Sequence, residues 1–438
     1  MKKRIFFLLI LAAACLLSAC QVRTVDQMYR VPKRPDSYDD LQSVIESAMG
    51  AMEYSAPKSG ENQQTVQMAD LDGDGIREYL LYAKGDGEKP LRILIFSQQE
   101  EGYVLLDTIG CTGSAFDLVE YVQMDGTGGM EIVVGCQISE QVPRSVSVYT
   151  LEQSSVRQLF STNYSKFLTC DLDENERMEL FVLRPGMETD YGTAELYSIE
   201  CGTVERSKEI KMSGPTEKLK RVITGRLHGG KPAVFVATSV DESAIITDVY
   251  AVLEDTLTNI SLSKDLGTSV QTLRNYYVYA DDIDNDGEVE LPSLITMRSL
   301  TQGENTQRQY LIRWYALDED GSETDKMFTY HNYLDGWYLQ LDAQWTHRIT
   351  VSQDANTYAF YLWDEDYRTA QKIFSVLVLT GQNREEQAVQ DNRFTVYKSE
   401  SVIYAARLEV ASGALCLTQN DLIESFHLIR QDWKTGEM

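Results

Sequence analysis

Residues 68–82 read Met-Ala-Asp-Leu-Asp-Gly-Asp-Gly-Ile-Arg-Glu-Tyr-Leu-Leu-Tyr, and residues 280–291 read Ala-Asp-Asp-Ile-Asp-Asn-Asp-Gly-Glu-Val-Glu-Leu. Each is an Asp-rich turn, D-x-D-x-D-G-x-x-E, running straight into an apolar strand. Weaker copies lie between them: Gln123-Met124-Asp125-Gly126-Thr127-Gly128 before Glu131-Ile132-Val133-Val134, and Asp171-Leu172-Asp173-Glu174-Asn175 before Glu179-Leu180-Phe181-Val182. A worn copy keeps only Leu227-His228-Gly229-Gly230 before Ala233-Val234-Phe235-Val236. With positions 70, 123, 171, about 226 and 282 taken as equivalent, the spacings are 53, 48, about 55 and about 56 residues. Between the turns run strands of four to eight residues broken by Gly, Asp and Asn, such as 91–97, 103–109, 145–151 and 156–160. A period near 50 with roughly four strands per unit is the signature of propeller blades, because one sheet cannot bury both faces alone and must stack on its neighbours. A β-sandwich or an open β-solenoid could carry similar turn spacing. The recurrence of the Asp-rich turn at one place in every unit favours the propeller. The expected fold is mainly β, a propeller-like array of about five four-stranded blades with an N-terminal helix and a small C-terminal α+β module.

The turn can carry chemistry. Alternate residues of a tight loop point the same way, so Asp70, Asp72 and Asp74 are expected to converge, as are Asp282, Asp284 and Asp286. Gly75 and Gly287 permit the bend, the carbonyls of Ile76 and Glu288 fall where a backbone ligand is needed, and Glu78 and Glu290 can close the site. An all-oxygen set of this spacing suits calcium and shares the 1, 3, 5, 7, 9 positions of the EF-hand loop without its helices. The lack of His and Cys ligands argues against zinc. Two carboxylates ~4 Å apart repel by ~4 kcal/mol at an effective dielectric near 20, so a metal-free loop should splay or take up protons. The third turn offers Asp171, Asp173, Asn175 and Glu179, with Glu176 in the Gly position. The second keeps only Asp125 and Glu131 and reads as a plain Asp-Gly turn; the fourth has no site.

Strand, D-x-D-G-D-G-x-x-E, strand resembles the FG-GAP and VCBS-type repeats whose relatives form the propeller of integrin alpha chains. The resemblance covers about residues 65–331 and implies calcium on the propeller rim and a part in adhesion or ligand presentation. This chain departs from that pattern in having no Phe-Gly dipeptide, no Gly-Ala-Pro and five visible units in place of seven.

Outside the repeat, Met1–Ala19 has Lys2, Lys3 and Arg4, an apolar run and a small-residue end, which reads as a signal peptide. Leu17-Ser18-Ala19-Cys20 resembles the lipobox of bacterial lipoproteins, which implies a lipid on Cys20, with 20–36 as a tether and the body facing outward from the cell membrane. Residues 37–60 hold a helix, whose Leu41, Val44, Ile45, Ala48 and Met49 share one face, and a linker. Residues 61–333 are the repeat domain and 334–438 the C-terminal module. In the latter Trp337, Tyr338, Trp345, Tyr358, Phe360, Tyr361 and Trp363 are expected to be core, and Thr418 with Asp421 caps a final helix reaching about Ile429. Five widely spaced cysteines beyond Cys20, with no C-x-x-C, give no zinc or disulfide framework. They read as small core residues.

Charge bounds the partners. The 438 residues carry a net charge of −27, and removing residues 1–19 takes away three basic and no acidic residues, leaving −30. A body this acidic has no basic face for nucleic acid. Four scattered His, and no H-E-x-x-H, G-x-S-x-G or phosphate-cradling loop, give no catalytic residues to name. The reading is therefore a membrane-anchored, calcium-stabilised, non-enzymatic binding or adhesion module for an extracellular protein or glycan. The alternative is a surface carbohydrate- or peptide-active hydrolase or lyase on a propeller scaffold, for which a pocket with buried, shifted carboxylates would speak. A transporter's substrate-binding lipoprotein would need alternating strands and helices, which the middle of the chain lacks.

Overall fold

In a computed structural model, the described residues are 36–100, 102–139, 142–186, 191–200, 203–206, 209–241, 244–275, 278–300, 308–409, 415 and 417–430. The signal peptide, Cys20 and the tether up to residue 35 lie outside them. Among the described residues no helix is long and apolar enough to cross a membrane.

Six antiparallel sheets follow one another along the chain. The first is the meander Val66–Ala69, Glu78–Lys84, Leu91–Gln99 and Gly102–Cys111, with Glu53–Tyr54 continuing the edge beside the second strand. The second runs from Ala115 to Tyr164, the third from Lys166 to Lys211 and the fourth from Leu219 to Asn259. In the fifth, the expected first strand is reduced to a single bridge, Asp281 to Glu290, before Leu291–Thr296, Tyr310–Leu317 and Glu323–Asn332. Five sheets thus cover the repeat, as the turn spacing required.

The inner strands, such as Glu78–Lys84, Glu131–Gln137, Glu179–Arg184 and Pro232–Ser239, are nearly continuous in burial because both faces of the sheet are covered there, whereas outer strands such as Ser155–Tyr164 are largely exposed. Leu80, Ile93, Phe116 and Ile132 join the first sheet to the second; Val146, Phe167, Leu180 and Tyr197 join the second to the third. Phe181, Leu196, Val234 and Tyr250 continue to the fourth, and Phe235, Val249, Leu291 and Tyr315 to the fifth. The two ends are covered by helices. Asp36–Met49 lays Leu41, Ile45 and Met49 on Leu81, Leu94 and Phe96 of the first sheet, as its periodicity predicts. Arg384–Val389 lays Ala388 on Leu377 and Ile403 of the last. Among the described residues no apolar cluster joins the first sheet to the last.

The C-terminal module holds a five-stranded sheet, with strands 349–354, 357–363, 370–380, 402–408 and 394–398 in spatial order, and two short helices. Most of the expected aromatics are core, with Trp337, Phe360 and Phe374 fully buried between the fifth and sixth sheets, but Trp345 and Tyr361 are only partly buried. Strand pairing runs across the expected boundary at 333/334, because Trp337–Leu341 pairs with Glu323–Asn332 and in turn takes Phe426–Leu428 on its other side. The Thr418–Asp421 capping box is present. Its helix, however, stops at Ser425 instead of reaching Ile429. Phe426 stacks on Trp337 with ring centroids 5.6 Å apart, and this packing pulls the chain out of the helix into a strand.

Phe181→Ala, which empties the contact between the third and fourth sheets, should cost ~3–5 kcal/mol. In urea unfolding the midpoint should drop at an unchanged slope, whereas Val389→Ala, at a position 70% exposed, should leave it in place.

Candidate metal centre

Each of the five repeat blades enters its second strand through an equivalent turn, Asp-rich in all but the worn fourth, and one backbone group dictates the turn's form. The second residue of each turn is apolar and buried: Leu71, Met124, Leu172, Leu227 and Ile283. Its side chain fills the core, so its N–H points inward and needs an acceptor. In four turns a buried glutamate seven residues on supplies it. Glu78 Oε2 accepts from Leu71 N at 2.9 Å, Glu131 from Met124 at 2.8 Å, Glu179 from Leu172 at 2.7 Å and Glu290 from Ile283 at 3.0 Å. The fourth turn is shorter and has no such glutamate. There Leu227 N donates to the Lys231 carbonyl, 2.8 Å away.

Neighbouring turns are also tied to each other. The N–H of Met130 donates to Asp70 O, that of Met178 to Gln123 O and that of Val289 to Arg226 O, at 2.8–3.1 Å. In each pair the donor precedes the second strand of one blade and the acceptor opens the turn of the blade before. Between the third and fourth turns, Arg226 and Lys231 face Glu174.

The carboxylates gather as three clusters: Asp70, Asp72 and Glu78; Asp171, Asp173 and Glu179; Asp282, Asp284 and Glu290. In each, one oxygen per residue lies within 4.8 Å of the others. The first Asp also organises the loop, Asp70 accepting from Gly73 N (2.8 Å) and Gly75 N (3.0 Å), and Asp282 from Asp286 N and Gly287 N. Asp74, Asn175 and Asp286 flank these clusters, and Asn175 Nδ2 donates to Asp173 Oδ2 at 2.9 Å. Their side chains accept from the N–H groups of Ile76, Arg177 and Glu288. Ile76 and Glu288, expected to offer carbonyls, thus spend their N–H groups within the loop. The Glu288 side chain reaches His228 Nδ1 and Gly229 N of the fourth turn, and Lys326 Nζ bridges it to Asp286 at 2.6 and 2.7 Å. Lys326, His228 and Gly229 are contacts that sequence reasoning missed; Lys326 lies 40 residues away on another strand, and no local pattern marks it.

Burial, reinforced by neighbouring aspartates, pushes Glu179 up to about 7 and Glu290 up to about 8, and raises Glu78. Glu290 Oε1 is fully buried and has no hydrogen-bond partner among the described residues. Glu131, in the turn without a cluster, differs in that its second oxygen accepts from the Thr150 hydroxyl at 3.3 Å. An orphaned carboxylate oxygen beside two further carboxylates is the arrangement a bound cation completes. The second turn needs none: Gln123 Oε1 accepts from Gly126 N at 2.8 Å, doing for that loop what Asp70 does for the first.

Two clefts bear on the catalytic alternative. One of about 510 Å³ is lined by Arg298, Ser299, Arg308, Ser352 and Gln353 among others, with no carboxylate among its described lining residues. Another of about 300 Å³ carries Asp265, Asp320 and Glu323, all exposed. Neither holds the buried carboxylate pair that the hydrolase or lyase reading needs.

No family model matches the chain, and no curated protein matches it. Among solved structures, rhamnogalacturonan lyase YesW is similar at 12% identity and a TM-score of 0.31, over 68% of this chain and 57% of that one. The rhamnogalacturonan lyase PL11 of Bacillus licheniformis gives 13% and 0.28, covering 73% and 72%; TolB from Acinetobacter baumannii gives 9% and 0.24, covering 68% and 63%. This chain thus spans little more than half the length of YesW. Likeness at these scores carries no argument about activity.

Two predictions rest on the turn geometry. Positions four and six of the turns are left-handed, at Gly73 and Gly75, Gly126 and Gly128, Asn285 and Gly287, and also at Glu174 (φ 64°) and Glu176 (φ 67°). Glu176→Gly should therefore stabilise the protein by ~1 kcal/mol in urea unfolding. Gly73→Ala should be worse than Gly75→Ala, since a Cβ on Gly73 would lie 2.8 Å from the Gly128 carbonyl carbon while one on Gly75 meets nothing within 4 Å. The second concerns pH. Burial pushes Glu131 up to about 7. Because the folded value is raised, the stability contributed by its protonated form is full below the ordinary carboxylate range and is lost as pH rises through about 7. In EDTA, thermal melts should show stability falling between pH 5 and 8, and Glu131→Gln should flatten part of that slope.

Proposed function

We propose that the protein is a calcium-stabilised, non-enzymatic binding or adhesion module, held at the outer face of a bacterial cell membrane by lipidated Cys20 and presenting its acidic rim to an extracellular protein or glycan. The observation that carries this reading is the threefold repetition of an Asp-Asp-Glu cluster at equivalent turns, one of them with an orphaned buried oxygen. Calcium would be held by Asp70, Asp72 and Glu78, by Asp171, Asp173 and Glu179, and by Asp282, Asp284 and Glu290. When bound, it supplies charge compensation and stiffens the rim; it is not asked to do chemistry. Oxygen-only donors and a flexible loop suit calcium over zinc or copper.

The loops are too exposed for tight binding. With a dissociation constant of ~0.1–1 mM, 1 mM calcium would add ~0.4–1.4 kcal/mol per site. Melting temperature should fall in EDTA and recover with calcium, with Asp72→Ala and Asp284→Ala each reducing the recovery. Identical melting in EDTA and calcium, together with no heat of binding in calorimetry, would sink the metal reading. For the anchor, Cys20→Ser should move the protein from the membrane fraction to the soluble fraction. A variant that stays in the membrane fraction would remove the lipid from the proposal.

A further inference from the structure

The first sheet hands the chain to the second through Cys111-Thr112-Gly113-Ser114. Cys111 ends the last strand of the first sheet, opposite Leu91, and Cys136 lies in the second strand of the second sheet, opposite Phe116. Both belong to the apolar cluster between these sheets, and both are buried free thiols. The crossing is held tightly, Ser114 N and Oγ both donating to Gln137 O at 2.8 and 3.1 Å. A Cβ on Gly113 would lie 3.4 Å from Cys136 Cβ, so the segment runs directly over that side chain. The Cys111 thiol also lies 3.7 Å from the Tyr149 hydroxyl of the second sheet, so its sulfur reaches into the same inter-sheet core as Cys136.

We propose that Cys111 and Cys136 are a disulfide-forming pair that staples the first blade to the second. The pair is independent of the acidic rim and of calcium. Its chemistry is thiol–disulfide exchange with a disulfide oxidant. The Cys111 thiolate attacks one sulfur of the oxidant and expels the other as a thiolate. Cys136 then gives up its proton and attacks Cys111 Sγ, and the second oxidant thiolate leaves. One S–S bond forms as one breaks; two protons and two electrons pass from the protein to the oxidant. Cys111 suits the attacking role, since the neighbouring Cys136 thiol, the contact with Tyr149 OH and the charges of Lys89 and Arg92 favour its thiolate against the burial that opposes it. Cys170, buried in the cluster between the third and fourth sheets, is an internal control.

The test uses the chain from residue 20 onward with Cys20→Ser. It is reduced, freed of reductant and incubated without air in oxidised glutathione, both as the folded protein and during refolding from urea, so that shielding of the thiols cannot hide the bridge. It is then unfolded, alkylated and digested for mass spectrometry. The expected result is a cross-linked pair of peptides containing Cys111 and Cys136, lighter by two hydrogens than the free peptides, with Cys170 alkylated. The oxidised protein should melt several degrees above the reduced one, a gain that Cys111→Ser and Cys136→Ser both abolish. Recovery of both cysteines as alkylated thiols after both treatments, or of either bridged to a different cysteine, overturns the proposal.

Discussion

A single inward-pointing N–H in each blade constrains the rest of the molecule. To bury Leu71, Met124, Leu172, Leu227 or Ile283, the chain must turn the same residue's amide away from water, and an unpaired buried amide costs on the order of 1–3 kcal/mol. The first, second, third and fifth blades meet the cost with the same glutamate placed seven residues on, and the fourth meets it by shortening the loop until a backbone carbonyl arrives. Fixing that bond fixes the loop between the first two strands, and hence their register. The glutamate is primarily a structural acceptor; its second oxygen is what remains for other uses.

That ordering explains how the turns diverge without loss of the fold. The second blade keeps Glu131 and gives its spare oxygen to Thr150, while Gln123 replaces the loop-organising aspartate. The fifth keeps Glu290 with its spare oxygen unpaired, and surrounds the outer carboxylates with Lys326 and His228. A cation site and a plain turn are thus two elaborations of one framework. They share an aspartate at position three and differ in the side chains at positions one and five.

Much of this was legible in the sequence because it is local. The Asp-rich turns, the apolar runs after them and the helix over Leu41, Ile45 and Met49 each announce themselves within about a dozen residues. The sequence also marked Glu78, Glu179 and Glu290, although as metal ligands and not first as acceptors for a backbone amide; the apolar residue between the first two aspartates was the available signal. What escaped is long-range. Residues 349–408 carry no Asp-rich turn, so their sheet could be read only as an α+β module. Nothing between Ser425 and Ile429 reveals that Phe426 will choose Trp337 over another helical turn. The approach of Lys326 to Asp286, and of Cys111 to Cys136, exists only once the sheets have stacked.

The strand at Phe426–Leu428 also sets an order of events. Most sheets here pair strands that follow one another closely, so each can form as soon as its own fifty or so residues are available. The fifth cannot, because Trp337–Leu341 waits for a partner supplied by the last stretch of the chain. Until Phe426–Leu428 has been synthesised and delivered, that strand presents unpaired amides and carbonyls to any other extended segment nearby. The exposure to mispairing therefore lasts from the emergence of Trp337–Leu341 until Phe426–Leu428 docks, and a chain truncated before residue 426 would carry that open edge permanently.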